Sequence, residues 1–271
     1  DTPEFAGFVA RMDSGVPYIR DIGFVGENYE FDRSVGFIDN DYPGFGASYS
    51  DYAGRFVAGN TFDFPSVHGK ALMQLGYSFC SASKAAFCDS TMTFDAFALD
   101  LICGKQRRTK IGRGAVPDRF EVFPDELCDA LAEFAGKGGC IFISGSNIAS
   151  DCDESTAAFT KSLFGYSLAT PDAGRYGRIG DMEYSSRINP EIYCVESPDG
   201  LKAAGHDSGI WMTFPDSHLG AAVWNDGGNF RTVSLTVPLE TFLSETDRTS
   251  VLGAVMRWFI GEGSSPTCTT R

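Results

Sequence analysis

The chain has 271 residues, enough for one large α/β domain or one domain with an appended piece. Its 22 basic and 36 acidic residues give a formal charge of −14, a field that repels phosphate backbones and anionic lipid surfaces, so no nucleic-acid partner is expected. No run of about 18 apolar residues occurs, so the sequence offers no membrane-spanning helix.

Residues 1–54 are rich in Gly, Asp, Tyr and Phe without clear periodicity, as in RDIGFVGENYEFDR and FIDNDYPGFGASYSDY. They predict an irregular N-terminal arm that packs its aromatics on the main body. Asp39, Asn40 and Asp41 form a compact oxygen cluster there; it reads either as a Ca²⁺ site or as an Asx-rich turn bonding its own backbone. Tyr42, Phe45, Tyr49 and Tyr52 would staple the arm to the body or stack on sugar rings. Beginning at Asp1 with no apolar leader, the chain reads as a processed or excised piece of something longer.

From Arg55 the pattern turns regular, and residues 55–262 read as a single α/β domain. RFVAGN predicts a short buried strand. PSVHGKALMQLG predicts a helix with Pro65 near its N-terminus, where a missing N–H costs nothing. YSFCSAS and FDAFALDLICG predict a second and a third strand. The basic run Gly104–Arg113 is either solvated surface or a gathering of cations for an anionic ligand. PDELCDALAEFAGKGG is an amphipathic helix with Leu127, Leu131 and Phe134 on one face, and CIFISG is a fourth strand. TAAFTKSLFG looks helical, and the Gly- and Pro-rich residues up to His218 suggest an inserted or edge segment. LGAAVWNDGGNFRTVSLTVPLE predicts a hairpin turning at Asp226–Gly227–Gly228. Ser244 and Asp247 predict the N-terminal cap of a last helix. Residues 263–271 read as the start of a linker.

Alternating strands and helices with near-continuous apolar strands predict a mainly parallel, doubly wound sheet of about five or six strands, covered on both faces. In such sheets ligands bind outside the carboxyl ends of the strands. That rule gathers Asn60, Asp63 and His68 after the first strand, Ser81 and Ser83 after the second, and Lys105 and Gln106 after the third. Ser144, Ser146, Asn147 and Asp151 follow the fourth, and Glu240 closes the last. His68 is then a candidate general base, Ser144 or Ser146 a nucleophile or binder, and Asp63 or Glu240 the orienting carboxylate. Asn60, Lys105, Gln106, Asn147, Asp151 and Glu240 are candidate ligand contacts. The competing reading has His68 capping or packing at the first helical turn.

Other motifs exclude more than they assign. SGSN is no G-x-S-x-G elbow, which disfavours a standard α/β-hydrolase. The glycine spacings of dinucleotide and Walker loops are missing, as are HExxH and an EF-hand loop. The eight cysteines, Cys80, Cys88, Cys103, Cys128, Cys140, Cys152, Cys194 and Cys268, form no CxxC pair and lie near no His at zinc spacing. Neither a metal site nor a cofactor is assigned.

The succession GVPYIRDIGFVGENYEFDR, PGFGASYSDY, AGNTFDFPSVHGKA, GYSFCSAS, LDLICGKQ, GGCIFISGSNIASD and FRTVSLTVPLET resembles large secreted Bacteroidetes proteins labelled xanthan-lyase-like. These carry fibronectin type III and golvesin-like modules elsewhere. The resemblance implies export to the periplasm or cell surface, a polysaccharide-processing setting, and other modules of the same chain as partners. The sheet pattern is also similar to class I glutamine-amidotransferase-like and flavodoxin-like domains. The amidotransferase nucleophile, a Cys between glycines, has no match here, since Cys103 follows Ile102. Xanthan-type lyases are built on a helical toroid, so the lyase label does not carry its reaction to this α/β chain. Two functions follow: an enzyme acting on a carbohydrate, ester or amide bond at the sheet edge, or a non-catalytic ligand-binding or scaffold module taking a carbohydrate or small molecule.

Overall fold

The structure, a computed structural model, describes residues 15–20, 64–83, 87–89, 96–104, 122–190 and 194–266. Its helices begin and end where local chemistry dictates. α1 (Phe64–Gln74) carries Pro65 in its first turn and gives way at Gly76, whose φ of 83° is the left-handed conformation glycine adopts without strain. α2 (Asp125–Gly136) places Asp125 and Glu126 at the positive end of its dipole and buries Leu127, Leu131 and Ala135, a four-residue repeat down one face. α3 (Glu154–Leu163) is capped by Asp153, whose side chain accepts the Thr156 N–H at 2.9 Å. α4 (Glu245–Phe259) is capped as expected, with Ser244 accepting the Asp247 N–H at 3.3 Å.

The strands are β1 (Gly15–Arg20), β2 (Ser78–Ser83), β3 (Ala98–Gly104), β4 (Cys140–Gly145), β5 (Tyr166–Thr170), β6 (Arg178–Ile179), β7 (Met182–Glu183), β8 (Gly200–Ala203), β9 (Ser208–Thr213), β10 (Gly220–Asp226) and β11 (Arg231–Leu235). Nine form one sheet in the order β2-β1-β3-β4-β11-β10-β8-β5, with β9 also on β10, while β6 and β7 make a separate small hairpin. β2, β1, β3, β4 and β11 run parallel. The expected hairpin reverses the chain, and β10, β9, β8 and β5 all pair antiparallel.

The fold is therefore α/β, but the expected mainly parallel sheet is corrected to a mixed one with a parallel half and an antiparallel half. The antiparallel strands come from the middle segment, whose strands are half-exposed and lack continuous apolar runs: β9 has no fully buried residue, whereas every residue of β4 is buried. A second correction concerns the arm. Gly15–Arg20, expected to be irregular, is an interior strand between β2 and β3. The remaining arm residues, with Asp39–Asp41, Tyr42, Phe45, Tyr49 and Tyr52, lie outside the described residues, as does the expected strand RFVAGN.

Register assigns the two faces of the sheet, because paired residues point the same way. Asp100, Phe142, Val233 and Trp224 lie across one face. Trp224 meets Trp258 of α4 edge-on at 5.7 Å, so α4 covers this side. α1 packs beside it, where Gly253 of α4 lets Leu75 approach to the distance a side chain would fill. The opposite face carries Thr232 and Asn225, paired across β11 and β10, and both donate to the Leu163 carbonyl at the end of α3. Phe123, Phe159 and Phe164 bind the approach to α2 and α3 on that side, with centroids 5.8–6.1 Å apart. Helices thus cover both faces, as the alternation predicts.

Candidate functional site

His68 lies just over one turn into α1 and points into the sheet rather than into a crevice. Its Nδ1 is 2.8 Å from Asp100 Oδ2, and its Nε2 is 3.1 Å from Glu240 Oε2. His68 and Asp100 are wholly buried, and the Glu240 side chain is 2% exposed. Asp100 projects from the middle of β3. Glu240 sits in a short 3-10 turn (Leu239–Thr241) after β11. One imidazole therefore ties α1 to a central strand and to the connection that leads into α4. On the surface the same helices are clasped by Lys70 and Gln74, which donate to Glu245 at 2.8 and 2.5 Å.

The protonation state follows from this geometry. Ionised carboxylates only accept hydrogen bonds, so a ring bonded to two of them is saturated when both nitrogens carry protons. Burial alone would push the His68 pKa down, but the charge and hydrogen bond of Asp100, followed by those of Glu240, outweigh it and hold the group at about 9. At neutral pH the site holds an imidazolium between two carboxylates. A group already protonated, with both nitrogens committed, has no lone pair with which to take a proton from a serine.

Ser144 stands on the same sheet face as Asp100, since it pairs in register with Ile102 two residues on. Its hydroxyl is buried and has no hydrogen-bond partner among the described residues. The expected Ser–His pair is thereby corrected: Ser144 is near the right face but unactivated, and His68 is engaged elsewhere. Ser146 and Asn147, 3% and 5% exposed, lie in the turn after β4. Asn147 has a φ of 62°, which a short amide side chain tolerates, and its Nδ2 donates to Ser146 Oγ at 3.4 Å. Its Oδ1 accepts from Ser150 Oγ at 3.3 Å. Asp151 ends this turn half-buried, its N–H donating to the Asn147 carbonyl at 3.3 Å. Asn60, Asp63, Lys105 and Gln106 lie outside the described residues, as do the side chains of Ser81 and Ser83.

Two acids escaped the sequence reading. Asp100 carried a signal: a lone carboxylate in the apolar string LDLICG, on a strand buried on both faces, requires a cation or donor to meet it. Asp199 carried none, because PDG reads as an ordinary turn. Its Oδ2 accepts the N–H groups of Ala149 and Ser150 at 2.9 and 3.0 Å, and burial pushes its carboxyl pKa up. Asp199 fixes the turn that carries Ser146 and Asn147.

Three of the described thiols are shifted away from the thiolate form. Burial, reinforced by neighbouring acids, pushes Cys128 and Cys152 up to about 12, and burial also raises Cys140. Among the described residues no group of three or more His, Cys, Asp or Glu is arranged to hold a metal ion, and no helix is long and apolar enough to cross a membrane. At the described part of the sheet edge Ser144, Ser146 and Asn147 are buried. An open cavity of about 1030 Å³ lies elsewhere, beside α4 and the β6–β7 hairpin.

No family model and no curated protein matches the chain. Solved structures similar to it include a putative ThuA-like protein from Bacteroides uniformis ATCC 8492, with 10% identity, a TM-score of 0.49, and 94% of this chain and 96% of that one covered. The exo-β-1,4-mannosidase Op5Man5 from Opitutaceae bacterium strain TAV5 aligns over 91% of this chain and 35% of its own, at 8% identity and a TM-score of 0.47. A β-galactosidase from the Antarctic haloarchaeon Halorubrum lacusprofundi aligns over 95% of this chain and 32% of its own, at 10% identity and a TM-score of 0.48. The chain spans about a third of the length of these two glycosidases. At such scores and identities the likenesses assign neither an activity nor a site.

Proposed function

We propose that this chain is a non-catalytic, carbohydrate-binding α/β module of a secreted polysaccharide-processing protein, of glutamine-amidotransferase-like architecture. The observation that carries the non-catalytic part is the commitment of both His68 nitrogens to buried carboxylates. It commits the only histidine on this side of the described residues, and the Ser144 hydroxyl, without a hydrogen-bond partner among the described residues, supports the same reading. The carbohydrate part and the export rest on the strings that resemble xanthan-lyase-like proteins, and on an open groove suited to a hydroxyl-rich ligand.

The test sets turnover against binding on one preparation. Xanthan, a mannan and a β-glucan are cast separately into native gels, and the same polysaccharides are assayed for released reducing or unsaturated ends. The proposal expects retardation in at least one gel and no released ends in any assay. Release of ends that His68→Gln abolishes, in a variant whose circular dichroism matches the parent, would restore the enzyme reading.

A further inference from the structure

Within the carbohydrate reading, on which this step rests, we infer that the sugar-binding site is the groove between α4 and the β6–β7 hairpin, with Trp211 as its stacking platform. The groove lies away from the sheet edge where open α/β sheets ordinarily take ligands. Its volume of about 1030 Å³ is at the upper end of the range for small-molecule sites and suits a short oligosaccharide. Trp211 lines it from β9, partly exposed, with Met182 of the hairpin beside it. An indole left partly in water offers an apolar face against the C–H face of a pyranose.

The rest of the lining sets the chemistry of the occupant. Among the described lining residues, Asp181, Glu245 and Asp247 stand against one guanidinium, Arg257. Glu245 is already engaged by Lys70 and Gln74. The Asp181 and Asp247 carboxylates remain to accept hydrogen bonds, and Asp247 is held half-buried at the first turn of α4. A partly buried carboxylate stays solvated in a complex only if the ligand donates to it, and sugar hydroxyls do. An anionic ligand would meet like charge at close range in a chain that is itself −14. The groove therefore fits a neutral oligosaccharide and discriminates against one rich in uronic acid or pyruvate.

Titration calorimetry on the whole chain with cellopentaose, mannopentaose and a glucuronate-containing xanthan oligosaccharide tests this. The expected result is binding of a neutral probe in preference to the glucuronate one. Trp211→Ala should weaken it by about tenfold or more, and Trp211→Phe should largely preserve it. Asp181 is exposed, so Asp181→Asn keeps the test valid if Trp211→Ala folds poorly; it should weaken the same probe measurably while leaving the melting temperature unchanged. A probe that binds the native chain and is unaffected by Trp211→Ala and Asp181→Asn overturns the groove and leaves the carbohydrate reading standing. Preference for the glucuronate probe overturns the charge argument and the neutral-ligand assignment with it. Failure of all three probes to bind, together with no retardation in the polysaccharide gels, removes both readings.

Discussion

Nδ1 of His68 lies 2.8 Å from Oδ2 of Asp100, with both side chains wholly buried, in a chain that has three histidines in all. Nε2 of the same ring meets Glu240 at 3.1 Å. The site holds two carboxylates and one cation, and the partners are not equivalent. Asp100 is closer and comes from a central strand, whereas Glu240 comes from a short 3-10 turn. Removing Asp100 strips a buried imidazolium of its principal partner, a loss of about 3–5 kcal/mol. Asp100→Asn should therefore be severely destabilised in urea unfolding. Glu240→Gln keeps an acceptor oxygen at Nε2 and leaves a neutral pair, and should cost about 1 kcal/mol. Equal losses would mean the two carboxylates share the charge evenly.

Ser144 supplies an opposite prediction. Its hydroxyl is buried without a hydrogen-bond partner among the described residues, so the native state carries its desolvation without return. Ser144→Ala should be neutral or raise stability by up to about 1 kcal/mol. Binding of any ligand should be unchanged. A clear loss of stability would reveal a partner for the hydroxyl.

Asp199 anchors the turn after β4 through two backbone N–H groups. Asp199→Ala leaves one buried and one half-buried donor without an acceptor and should cost about 2–3 kcal/mol. Amide exchange at Ala149 and Ser150 should accelerate more than in the β4 strand. Asp199→Asn keeps one acceptor oxygen and, because burial already opposes the ionised form, should be much milder. If alanine and asparagine behave alike, the carboxylate is not what holds the turn.

The legible parts of this chain are those whose signals are local. α2 announces itself through Leu127 and Leu131 at helical spacing, α4 through Ser244, and the β10–β11 hairpin through Asp226–Gly227–Gly228. β1 was illegible because Gly15–Arg20 has no apolar run of its own and owes its strand character to pairing with β2 and β3. The antiparallel half was illegible for a related reason: β5, β8 and β9 are short or half-exposed, so burial, which makes strands readable, is weak in them. At the site, His68 and Glu240 do come together. Their chemistry was not legible, because the partner that decides it, Asp100, lies in a strand and not in a turn.

The protonation of His68 also sets a pH dependence. Its folded-state pKa is raised from 6.5 to about 9, so folding is favoured by proton binding. The contribution, on the order of 3 kcal/mol, is fully present below pH 6.5 and is lost as pH rises through about 9. Urea unfolding of the native chain should weaken across that window. The stability gap between it and His68→Gln should narrow over the same window.

Heteronuclear NMR of the imidazole resonances during a pH titration reads the state of that one ring directly. With His68 as a buried cation between two carboxylates, both ring nitrogens stay protonated through neutral pH and the midpoint falls near 9. A His68 that titrates at or below its ordinary 6.5, with one bare nitrogen at neutral pH, would contradict the account and return a general base to the site.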